Sequence, residues 1–259
     1  FEEGWWRNPS GPEGMVAGGT VMVILLAIAV VLFFPALGAG SLFGTEVRGF
    51  VSPIGISVLV GAFIFGVGMQ LGGGCASGTL FTAGGGNARM LITLVFFIVG
   101  SVIGTAHFAW WQSLPAFQPV SLVNVAGVGG GIGISLVLFA AIAVLTVIME
   151  KRRHGHLEQA PMVDKPGAER WLSGPWPLVA GAVALALLNF ATLALAGRPW
   201  GITSAFALWG AKSFELVGGD VSQWGYWQAP GNAAALEASV WGDITTVMNV
   251  GIMLGALAA

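Results

Sequence analysis

Apolar residues in this chain run in blocks, and polar residues gather in the short stretches between them. A helix needs about 20 mainly apolar residues to span the hydrocarbon core of a bilayer. Blocks of that kind fall at residues 15–37, 53–72, 87–112, 127–149, 175–196 and 240–259. The pattern predicts an all-α integral membrane protein: a polytopic helical bundle forming a single polytopic membrane domain over residues 1–259. Residues 150–174 then form a polar loop between its two halves.

Two interruptions depart from this pattern. Residues 73–86 are too short for an extramembrane domain and too rich in glycine to prolong a helix, so a glycine-rich re-entrant loop is expected there. The second runs from Gly197 to Lys212, where Pro199 and Gly201 oppose an unbroken helix. Paired Gly/Pro-interrupted segments in the two halves of a membrane protein point to a transport site at an internal, inverted repeat.

Composition agrees with the blocks. The 259 residues are 56% hydrophobic and only 8% charged, whereas soluble domains carry about 25% charge. The net charge of −2 therefore matters less than where the charges fall, and no basic patch invites nucleic acid. Five of the ten Lys and Arg residues, Lys151, Arg152, Arg153, Lys165 and Arg170, share one loop. The positive-inside rule makes that loop cytoplasmic and agrees with Arg89 at the cytoplasmic start of the third span. Residues 218–236, with Trp224, Tyr226 and Trp227 but no Lys or Arg, are expected as an outer interfacial segment. The opening stretch FEEGWWRNPSGPEG lacks a signal-peptide pattern, and a start without Met is expected of a fragment.

The chain has one cysteine, Cys75, so it offers no internal disulfide, dithiol centre or zinc cluster, and no cofactor is expected. A lone membrane cysteine is by default a small apolar core residue. Here Gly72, Gly73 and Gly74 precede it and Ala76, Ser77, Gly78 and Thr79 follow. A helix break beside small and polar residues favours a thiol that faces a ligand, with a short helix starting after it whose N-terminal N–H groups attract an anion. Gly61, Gly66 and Gly68 read as helix-packing positions and Gly84 to Gly86 as the turn into the third span.

Within the second interruption, Arg198 and Lys212 are the basic residues and Gly201, Thr203 and Ser204 the small and polar ones. A cation there attracts anions, and snorkelling to the interface explains it equally well. His107, beside Trp110 and Trp111, reads as interfacial, and His154 and His156 as solvated. Asn189, Thr192, Asp243 and Asn249 are polar groups in or at the edge of spans, the neutral ones explained by helix-to-helix hydrogen bonds.

The stretch GMQLGGGCASGTLFTAGGGNARM, residues 68–90, resembles the central cysteine motif of the YeeE/YedE family of membrane sulfur transporters. Residues 174–214, from GPWPLVAG to GAKSF, and 239–259, SVWGDITTVMNVGIMLGALAA, are similar to later parts of the same family. The resemblance implies uptake of thiosulfate or a related inorganic sulfur anion across the inner (plasma) membrane. It also implies opposed re-entrant loops embedded among membrane lipid and a soluble cytoplasmic sulfurtransferase-like partner. Members typically carry three cysteine segments; Cys75 matches the middle one, which is expected of a piece lacking both ends or of a naturally short chain. The alternatives are transport of a selenium or other sulfur compound and a non-transporting assembly subunit. An enzyme is not expected, since one cysteine without a base makes no catalytic set.

Overall fold

A computed structural model describes residues 12–154 and 178–258. His156, Lys165 and Arg170, with most of the loop expected at 150–174 and the chain's first eleven residues, lie outside the described residues. Ten α-helices follow in order among the described residues: α1 (Pro12–Ala39), α2 (Ile56–Gly72), α3 (Ala76–Gly84), α4 (Ala88–Ala106), α5 (Phe108–Ser113), α6 (Leu122–His154), α7 (Leu178–Ala196), α8 (Ile202–Leu216), α9 (Pro230–Glu237) and α10 (Ile244–Ala258). The strands β1 (Ser41–Leu42) and β2 (Thr45–Glu46) form one small antiparallel hairpin.

Five helical segments among the described residues are long and apolar enough to cross a membrane: Met22–Ala39, Ile56–Gly84, Ala88–Ala106, Leu122–Met149 and Val179–Ala196. This is a polytopic α-helical membrane protein. The sixth expected block is shorter than foreseen, because Val240–Gly242 forms a separate 3-10 turn and α10 begins only at Ile244. Its 15 residues reach about 22 Å at 1.5 Å per residue, short of a hydrocarbon core of about 30 Å. The block at 87–112 is likewise divided at His107 into α4 and α5.

The chain forms two compact units, Phe1–Val51 with Val120–Pro199, and Ser52–Pro119 with Trp200–Ala259. In the first, α1 packs on α6 and α7. Ala36, Val47 and Leu193 are buried together against Phe33, Leu37, Leu42 and Phe190, and the Phe33 and Phe190 rings meet edge to face at 6.1 Å. The hairpin turns through Phe43 and Gly44, both at positive φ, as a two-residue hairpin loop requires. It is tied to the end of α7, where Gly197 accepts the Arg48 N–H at 2.8 Å. Gly197 has φ +69°, and a Cβ there would stand 2.5 Å from the Glu46 carbonyl oxygen, so glycine is required twice over. α6 starts earlier than expected, bending at Gly127 (φ 68°, ψ 173°).

In the second unit the start of α2 is pinned near the end of α5. Gly55 bridges to Ala116, and the Ile56 N–H donates to the Pro115 carbonyl at 3.2 Å. At its other end, the Cβ positions of Gly72 and Gly73 lie 3.4 Å from Thr93 and 3.0 Å from Met90, both in the first two turns of α4. α2 therefore runs antiparallel to α4, and the break after it lies beside the start of α4. α3 packs on α4 and α10, while α8 packs on α4 and α10. Ala76 and Leu80 of α3 join Leu94 and Phe206 in one buried apolar cluster, flanked by Phe97, Ile98, Ile202, Trp209, Ile252 and Met253.

Small residues make these approaches in the way membrane helices favour. A Cβ on Gly84 would lie 2.5 Å from the Met253 carbonyl oxygen, and one on Gly210 would collide with Val102. Gly84 thus serves the contact of α3 with α10, and Gly85, Gly86 (φ +89°) and Asn87 alone make the turn. Gly61, Gly66 and Gly68, expected as packing positions, have nothing within 4 Å of their Cβ positions among the described residues. Their small size is not used in any contact among the described residues.

Candidate functional site

The expected re-entrant loop at 73–86 consists of a three-residue break, the nine-residue helix α3 and a tight turn. α2 stops because Gly73 adopts the left-handed conformation (φ 79°, ψ 12°) and returns its N–H to the Met69 carbonyl. Gly74 follows, and Cys75 is the extended N-cap residue of α3 (φ −77°, ψ 176°), with no side-chain capping bond. The first bond of the α3 ladder runs from the Thr79 N–H to the Cys75 carbonyl at 2.8 Å. The N–H groups of Ala76, Ser77 and Gly78 are left outside that ladder, as in the first turn of any helix. They lend the break a partial positive charge.

The side chains converge on the same place. Cys75 is half-buried, its Sγ lies 3.2 Å from Ser77 Oγ, and a Cβ on Gly78 would stand 3.7 Å from that sulfur. Glycine at 78 thus leaves one side of the thiol uncovered. Thr79 is fully buried at 0% exposure, and its hydroxyl has no hydrogen-bond partner among the described residues. It stands 3.8 Å from the Cβ position of Gly74. The eight residues expected around the thiol, Gly72, Gly73, Gly74, Cys75, Ala76, Ser77, Gly78 and Thr79, span the end of α2, the break and the start of α3.

The second interruption is divided differently. Arg198 belongs to the first unit, which ends at Pro199, while Gly201, Thr203, Ser204 and Lys212 belong to the second. α8 starts immediately after Gly201 and continues without a break beyond Lys212. Only the first residues of the segment, Gly197 to Gly201, interrupt the helix. Ser204 spends its hydroxyl on the Gly201 carbonyl at 2.7 Å and lies 3.3 Å from Thr245 Oγ1. Thr203 is exposed and Lys212 half-buried.

Buried polar residues of α10 hold this second start. Asn249, at 0% exposure, accepts from Trp200 Nε1 at 3.3 Å and donates to the Ile202 carbonyl at 3.0 Å. Trp209 Nε1 donates to Thr246 Oγ1 at 2.9 Å, and Thr246 donates in turn to Asp243 Oδ2 at 2.9 Å. Asp243 also accepts the Thr246 N–H at 2.8 Å, the arrangement of a helix cap. Sequence reading noticed Asn249 and Asp243 but missed Thr245 and Thr246. Their signal was polar residues at i, i+1 and i+4 of an apolar block, one helix face.

Other expectations need correction. Asn189 and Thr192 bond the carbonyls of Leu185 and Leu188 on their own helix, both at 2.9 Å, and bridge no helices among the described residues. The aromatics at 218–236 do not simply line an interface. Trp227 is buried with Ala207, Leu208, Ala211, Val221 and Leu236, and Trp224 and Tyr226 pack on that cluster. The short α9 and the end of α8 supply the apolar surface that draws them inward.

Five long apolar helices among the described residues, one of them interrupted at a thiol, define a multi-pass membrane protein, and a helical bundle of this kind belongs to the inner membrane rather than among outer-membrane β-barrels. The chain belongs to the sulphur transport family, whose model matches residues 13–259. It is also similar to the thiosulfate transporter TsuA of Spirochaeta thermophila, with 38% identity over 56 residues. That match covers 21% of this chain and 17% of the relative.

Proposed function

We propose that this chain passes thiosulfate, or a closely related inorganic sulfur oxyanion, into the cell through a constriction at Cys75. The observation that carries this reading is the half-buried thiol at the start of α3, beside N–H groups that lie outside the helix ladder. A thiosulfate dianion has charged oxygens suited to those N–H groups and a softer terminal sulfur suited to the thiol. The contacts are non-covalent: the S–H donates a weak hydrogen bond to the terminal sulfur and no bond to sulfur is made or broken. Family membership supports the sulfur class, and the relative's name supports thiosulfate within it.

The test is uptake of ³⁵S-thiosulfate by cells carrying the full-length protein, wild type beside Cys75→Ala, at matched membrane levels. Uptake is expected to fall at least tenfold in the variant. Undiminished uptake by a well-expressed variant removes Cys75 from the path, and competition by unlabelled sulfur and selenium oxyanions ranks the substrates. On the inner side, a soluble sulfurtransferase-like protein would take over the delivered sulfur.

A further inference from the structure

The hydroxyl of Thr79 is treated unlike those of five other helical threonines. Thr82, Thr93, Thr146 and Thr192 each donate to the carbonyl four residues back, and Thr105 to the carbonyl three back. This bond is the usual way for a helical threonine to satisfy itself away from water. Thr79 has the same opportunity, since its own N–H already bonds the Cys75 carbonyl four residues back. Its hydroxyl is nevertheless without a partner, although the residue is 0% exposed. A buried hydroxyl left without a hydrogen bond is costly, so its orientation calls for a transient partner.

The direction of that partner is set by two neighbours. Cys75 is the N-cap residue of α3, and its carbonyl accepts the Thr79 N–H at 2.8 Å, so thiol and hydroxyl stand one turn apart at the start of that helix. Gly74, with no side chain, leaves clear the position 3.8 Å from the Thr79 oxygen that a Cβ would fill. A ligand entering beside the thiol can therefore reach the hydroxyl over Gly74.

We infer that the Thr79 hydroxyl is a specificity-determining donor, hydrogen-bonding an oxygen of the sulfur anion while Cys75 meets its sulfur. The inference rests on the reading of Cys75 as part of the path and adds a selection rule to it. A thiol selects for sulfur, and the hydroxyl selects for an oxygen on that sulfur compound. Oxyanions such as thiosulfate satisfy both groups, whereas hydrosulfide, which has no oxygen, leaves Thr79 unpaired.

The test is equilibrium binding of ³⁵S-thiosulfate to the purified full-length protein in nanodiscs, comparing wild type, Cys75→Ser, Thr79→Val and Thr79→Ser. Thr79→Val keeps the shape and removes the hydroxyl, and is expected to weaken binding about tenfold or more, while Thr79→Ser recovers most of the loss. A merely structural Thr79 would shift the melting temperature of the ligand-free protein without this pattern of affinity. Gly74→Ala serves if Thr79→Val does not reach the membrane: its methyl meets Thr79 at ordinary contact distance and fills the space before the hydroxyl, so weakened binding is again expected. Wild-type affinity in Thr79→Val, or in Gly74→Ala where that variant stands in, with Cys75→Ser still weakened, overturns the role of Thr79 alone. A wild-type protein that binds no thiosulfate overturns the underlying reading, and this inference with it.

Discussion

Trp200 and Asn249, 49 positions apart in the chain, are joined by a hydrogen bond from the indole Nε1 to the amide Oδ1 at 3.3 Å. The same amide donates to the Ile202 carbonyl at 3.0 Å. One fully buried side chain thus fixes both the last residues of the second interruption and the first turn of α8. Replacing Asn249 by Leu keeps the volume, removes both bonds and leaves the Trp200 N–H without its acceptor. The expected cost is about 1–3 kcal/mol. Denaturant unfolding of the purified full-length protein in mild detergent, followed by tryptophan fluorescence, measures it; an unchanged midpoint would show that the amide does not hold α8.

Two glycines that look alike in sequence are expected to respond oppositely to Ala. At Gly84 the added methyl meets Met253 backbone, with the carbonyl oxygen 2.5 Å away, and backbone cannot swing aside like a side-chain tip. Gly84→Ala is expected to separate α3 from α10 and sharply reduce folded protein. Gly61 lies inside α2 with nothing within 4 Å of its Cβ position among the described residues, so Gly61→Ala is expected to be neutral or to gain about 0.5–1 kcal/mol in helix stability. The yield of monodisperse protein after extraction compares them directly. A destabilised Gly61→Ala would reveal a partner surface on α2.

The turn from α3 into α4 depends on Asn87, whose Oδ1 accepts from the N–H groups of Arg89 at 3.1 Å and Met90 at 3.3 Å. Asn87→Ala is expected to cost about 1 kcal/mol and Asn87→Asp to retain the cap. Because α4 carries Met90 and Thr93, which border the break before Cys75, the Ala variant is also expected to weaken thiosulfate uptake. Thermal melting and uptake, measured in parallel, check the two effects.

The lipid-facing architecture was legible because hydrocarbon imposes one demand, a long apolar run, that composition reports without tertiary detail. Helices α1, α2, α4 and α7 fall close to their expected blocks for that reason. The break at Cys75 was equally readable, since three successive glycines cannot extend a helix cheaply. What escaped was set by tertiary packing. Gly84 and Gly61 differ only in what faces them, and Thr246 becomes structural only because Trp209 arrives from 37 residues away. The bond from the Ser204 hydroxyl to the Gly201 carbonyl is likewise set by the local backbone at the start of α8. Thr79 stands beside the thiol on sequence grounds, and the missing back-bond is what the structure adds.

The direction of transport rests on topology, which Lys151 and Arg152 put to the test. Both are exposed in the last turns of α6, where positive charge favours the cytoplasmic side and also complements the helix C-terminus. A Lys151→Cys variant, with Cys75 replaced, is expected to react with a membrane-impermeant thiol reagent only after the cells are opened. Labelling of intact cells would put the end of α6 outside and place the docking point for a sulfurtransferase-like partner elsewhere.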